Sequence, residues 1–74
     1  MKTYINVECK ALPGGKKIPV LIQWHDGRTW KIKRILHVSL PAEGEFEGIR
    51  YTVMIGSAEK YLYKENDKWY VVSA

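Results

Sequence analysis

The chain has little cysteine, proline or phenylalanine: one Cys, three Pro and one Phe in 74 residues. A lone Cys9 cannot close an intramolecular disulfide, so a disulfide scaffold is excluded, and unpaired cysteine suits a reducing cytoplasm. No apolar run approaches the roughly 20 residues of a membrane span, and the opening MKTYINVECK lacks the apolar centre of a secretory signal. A cytoplasmic chain without membrane contact is expected. No helical period outlasts one turn, and there is no repeat, which argues against helix bundles and strand–helix–strand units. Without a helix to follow a strand, no glycine-rich phosphate loop can form. Cys9, His25, Asp26 and His37 are scattered, with no CxxC, HxxxH or HxH spacing. No catalytic pair, metal or cofactor is therefore expected. Charge is modest: 12 basic against 8 acidic residues gives +4, which permits a polyanion partner without demanding one.

What the chain does have is aromatic mass, with three Trp and five Tyr concentrated in strand-like runs. A chain this short buries only about 60% of the surface its unfolded form exposes. Rings burying about 150–250 Å² each are an efficient way to build a small core. Length allows one domain, residues 1–74.

The most legible stretch is KIPVLIQWHDGRTWKIKR, Lys17 to Arg34. Side chains alternate with period two along a strand, so Ile18, Val20, Ile22 and Trp24 share one face. Trp30 and Ile32 share a face of the next run. A three-residue loop, His25-Asp26-Gly27, would place Ile22 opposite Trp30 and Val20 opposite Ile32. A two-residue loop would split that apolar face, so register selects the longer one. Trp24 opposite Arg28 is a candidate cation–π pair. Parity falters at Lys33, Arg34 and Ile35, where a bulge or bend would let one strand serve two sides of a barrel.

Thr3, Ile5, Val7 and Cys9 alternate with polar residues in a first strand, and Pro13-Gly14-Gly15 forms a turn. Pro41 to Gly48 is an acidic loop carrying Glu43, Glu45 and Glu47, in which Phe46 is expected to anchor to the core. A meander follows. Turns at Gly56-Ser57 and Asn66-Asp67 would pair Tyr51 with Leu62 and Tyr63 with Tyr70. The expected fold is all-β: a small SH3-like barrel or strongly bent roll of five to six antiparallel strands.

Two sets of residues are candidates for binding. The first is the meander face with Arg50, Thr52, Tyr61, Tyr63 and Tyr70. Exposed, it would suit a protein partner or stacked bases, unless the acidic loop or a dimer interface covers it. The second is a basic set, Lys16, Lys17, Arg28, Lys31 and Lys33, with Arg34 beside it. These residues would meet phosphates or form the solvated face of an amphipathic strand.

The residues Pro19, Trp24, Asp26-Gly27-Arg28, Trp30, Ile32 and Ile35, then Gly48-Ile49-Arg50-Tyr51-Thr52, Tyr61-Leu62-Tyr63, Glu65 and Trp69-Tyr70-Val71, resemble a family of small bacterial all-β proteins of uncharacterised function. In outline the pattern is P-x(4)-W-x-D-G-R and Y-L-Y-x-E-x(3)-W-Y-V. The resemblance implies a compact β fold and transfers no site. The resulting expectation is a non-enzymatic module for protein interaction or self-association, a homodimer included. The alternative is a small barrel that binds nucleic acid through its basic strand face.

Overall fold

The computed structural model describes residues 1–42 and 44–72; Glu43, one of the three loop glutamates, lies outside the described residues. Seven strands are present: β1 (Lys2–Ala11), β2 (Lys17–Gln23), β3 (Thr29–Lys31), β4 (Arg34–Ser39), β5 (Ile49–Ile55), β6 (Ala58–Glu65) and β7 (Lys68–Val72). Every pairing is antiparallel, in the order β3-β2-β1-β7-β6-β5-β4. Among the described residues there is no helix, and so none long and apolar enough to cross a membrane.

The fold is the small all-β bent roll that alternation predicts, but with seven strands in place of five or six. The additional strand comes from the irregular stretch after Lys31. Ile32 donates its amide to Val20 O on β2 at 2.9 Å, and Lys33 donates its amide to Met54 O on β5 at 2.7 Å. Successive amides therefore bond to opposite sides of the roll, and the two end strands of the sheet order are joined by only Ile32 and Lys33. β1 performs the same division: Lys2 to Ile5 pair with β7, and Asn6 to Ala11 with β2. The sheet curls where β1 and the link of Ile32 and Lys33 each divide their bonds, along their length, between two sides of the roll.

The registers follow the turns. Ile22 pairs with Trp30, and the His25-Asp26-Gly27 loop closes with Trp24 N–H donating to Arg28 O at 2.8 Å and Gly27 N–H to Trp24 O at 3.0 Å. Gly27 has φ +94°, a conformation that residues with a Cβ adopt only at a cost. Tyr51 pairs with Leu62 and Tyr63 with Tyr70, as the two-residue turns require. Ile5, Ile22, Val53, Leu62 and Trp69 form the buried core inside the curl, with Val7, Trp24, Trp30, Ile35 and Tyr51 packed around it. Cys9 breaks the alternation and is exposed, because a register shift between Glu8 and Cys9 resets the face of β1.

Candidate functional site

The meander tyrosines are brought together and then covered. Adjacent strand residues face opposite ways, so Tyr63 and Tyr70 lie on the face away from Leu62 and Trp69. Their rings stack at 4.8 Å with 7° between planes. Phe46, from the acidic loop, meets Tyr63 edge-on at 5.5 Å, and Tyr4 meets Tyr70 edge-on at 5.8 Å. Tyr70 is only 1% exposed, and its hydroxyl donates to Glu47 O at 2.9 Å. Phe46 thus anchors the loop, as expected, though onto the outer face of the sheet. Thr52 and Tyr63 are buried as well, leaving Arg50 and Tyr61 as the accessible members of the set. Arg50 is bracketed by the rings of Phe46 and Tyr61 at 4.8 and 4.5 Å. This is a second, outer hydrophobic layer whose loop acts as its lid.

Ion pairs tie that loop down. The Lys2 ammonium reaches Glu47 and, at 3.6 Å, Glu65, while Tyr4 donates to Glu65 at 3.1 Å. The hydrogen bond from Lys2 holds the Glu47 carboxyl below its ordinary range. Asp26 is also held low, first by the Arg28 amide donating to Oδ1 at 3.0 Å, then by the Arg28 side chain. A carboxyl whose folded value lies below its unfolded one stabilises the fold above the unfolded value, and that contribution is lost as pH falls through the folded value. Urea midpoints should therefore drop on acidification through about pH 4. An Asp26→Asn, Glu47→Gln double variant should show a shallower drop; an unchanged acid slope would contradict the assignment.

The basic set is divided. Arg28 belongs to the hairpin turn, bonded to Asp26 at 2.7 Å and lying over Trp30 at 5.3 Å. This corrects the expected Arg28–Trp24 contact: Trp24 and Trp30 pack edge-to-face at 5.8 Å, and Arg28 lies over Trp30 instead. Lys31 is exposed on β3, opposite Leu21. Lys16, Lys17 and Lys33 do converge, on an open groove of about 880 Å³ that sequence reasoning did not foresee.

The groove opens where the curl parts. β2 joins β3 from Leu21 onward, with one further bond donated by the Ile32 amide to Val20 O, so Lys17 to Pro19 have no strand on that side. β4 pairs with β5 alone. Ile18, Val20, Ile32, Ile35, Val38 and Tyr51 supply apolar walls between these two free edges. The register shift between Ile35 and His37 lets Ile35 oppose Val53 and Val38 oppose Tyr51, so both face inward. Val38 is nevertheless 50% exposed, and Leu36 and Leu40 on the same edge are 41% and 74% exposed. Lys10, Lys16, Lys17, Lys33 and Arg34 ring the groove, and no carboxylate lines it among the described residues.

The remaining reactive groups stay apart: Cys9 is on β1, His25 in the β2–β3 turn with its ring against Trp24 at 4.9 Å, and His37 on β4. No group of three or more His, Cys, Asp or Glu among the described residues could hold a metal ion. Comparison with family models, curated proteins and solved structures finds no match to this chain. The resemblance drawn from the two hairpin signatures stands on those residues alone.

Proposed function

We propose that this chain is a non-enzymatic protein-interaction module that receives an extended segment of a partner along the free edge of β4. The observation that carries the reading is the character of that edge. Exposed strand edges are templates for pairing, and proteins ordinarily blunt them by shortness, lysine, proline or cover. β3, the other end of the sheet order, is blunted: it has three residues and ends on Lys31. β4 has six residues and no lysine or proline. It carries Arg34 at its start and a bulge between Ile35 and His37, but Val38 stands half-exposed at an apolar groove, with Leu36 at the bulge and Leu40 just past the strand exposed as well. Strand addition draws affinity from main-chain hydrogen bonds and specificity from pockets for alternate side chains, and this edge offers both.

The nucleic-acid alternative has less support. Single-strand binders interleave cations with exposed stacking rings. Among the described residues that line the groove, Tyr51 is the one aromatic, and its ring already packs on Trp69 at 5.3 Å. The exposed Tyr61 belongs to the outer layer with Arg50.

Peptides selected from a random displayed library test the reading. A Val38→Ser, Leu40→Ser variant should bind them at least about tenfold more weakly, or roughly 1.4 kcal/mol. Tyr61→Ala should leave their binding unchanged. The reverse pattern would move the site to the outer face and end the proposal.

A further inference from the structure

We infer that the segment taken up along β4 is acidic, with apolar side chains at alternate positions entering the groove and carboxylates between them meeting its rim. The inference rests on the strand-uptake reading above and adds the chemistry of the partner. Five cations surround the groove, drawn from three parts of the chain: Lys10 from β1, Lys16 and Lys17 at the start of β2, and Lys33 with Arg34 at the start of β4. None of the five is in an ion pair among the described residues. Outside the groove, Lys2 is matched with Glu47 and Glu65 and Arg28 with Asp26, while Arg50, Lys64 and Lys68 lie over aromatic rings. Among the described residues, then, no ion pair compensates the positive charge at the groove.

The walls impose the second requirement. An added strand would present every second side chain to Ile18, Val20, Ile35 and Val38, an apolar lining. Its intervening side chains would point toward water and the lysine rim, where a carboxylate gains attraction without full desolvation. Charge of this kind sets orientation and encounter rate more than raw affinity, and it penalises a basic segment directly. A second copy of this chain offering its own β4 would bring Arg34 and Lys33 into an already cationic groove, so self-pairing is disfavoured on the same ground.

Three labelled peptides of equal length, alternating leucine with glutamate, serine or lysine, decide the matter by fluorescence anisotropy at low and moderate salt. The glutamate peptide should bind at least about tenfold more tightly than the serine peptide, with an advantage that shrinks as salt rises. A Lys16→Glu, Lys17→Glu variant, altered only at exposed positions, should reverse the preference toward lysine. Equal binding of the serine and glutamate peptides, lost in Val38→Ser, would overturn the acidic requirement and leave strand uptake standing. A random single-stranded oligonucleotide that displaces the glutamate peptide and binds more tightly would overturn it as well. Binding of none of the three peptides would remove strand uptake itself.

Discussion

Gly48→Ala is expected to destabilise the fold by about 3 kcal/mol or more, the sum of backbone strain and forced displacement of a packed strand. Gly48 has φ +83°, and a Cβ there would overlap Lys64 O and lie 2.8 Å from the Lys64 carbonyl carbon. Those atoms are backbone of β6, so no side-chain rotation relieves the clash. The strands must separate where Ile49 pairs with Lys64 and Arg50 with Tyr63. Glu47 and Phe46 immediately precede Gly48, so the same movement pulls the Glu47 carbonyl from Tyr70 and the Phe46 ring from Tyr63. Urea unfolding should report the loss, and tyrosine fluorescence or near-ultraviolet dichroism should show the outer layer opening. A variant within about 0.5 kcal/mol of the parent would show that the loop entry is not held as described.

Trp69→Ala should be comparably severe, at about 3–5 kcal/mol. Trp69 is 8% exposed, packs with Ile5, Ile22, Val53 and Leu62, and has Tyr51 at 5.3 Å. At roughly 0.05–0.15 kcal/mol per residue, a domain of this length has a total stability of the same order, so much of the population would unfold. Trp24→Ala should cost less, because Trp24 is half-buried at the rim of the core. The order of the two losses matters: a larger effect at Trp24 would mean that the hairpin, and not the β1–β7 side, holds the centre of the fold.

That contrast shows how far the sequence could be read. Parity located the apolar face of KIPVLIQWHDGRTWKIKR and both meander registers, because turn length and period-two alternation are local properties. Trp69 was assigned to a strand, but its depth was not legible: burial depends on which face of the meander turns inward, and both faces carry large side chains. The cover over Tyr63 and Tyr70 was foreseen as one of two outcomes; Phe46 and the Glu47 carbonyl supply it. The break after Lys31 was visible as a fault in the alternation, while its consequence, a single stretch bonding to both β2 and β5, needed the long-range pairing.

The groove was invisible for the same reason. Hairpin pairing and alternation group Lys16, Lys17 and Lys33 with Arg28 and Lys31, but the turn holds Arg28 against Asp26 and Lys31 does not line the groove. The structure keeps Arg34 beside the first three and adds Lys10, which the sequence pattern does not mark. Val38 could not be assigned to the inner face by counting from Ile35, since the bulge between them inverts the count. An unpaired edge is a property of what fails to lie beside a strand, and no local pattern records it.

Amide hydrogen exchange across β4, in the free chain and with the alternating glutamate–leucine peptide bound, tests the central claim most directly. Strand uptake requires fast exchange at the outward-facing amides of Arg34 to Ser39 in the free chain. Those amides should slow in the complex, while amides paired to β5 stay protected in both states. Protection of the whole of β4 in the dilute free chain would mean that the edge is already occupied. Peptide binding that leaves β4 exchange unaltered would place the contact elsewhere and contradict the account.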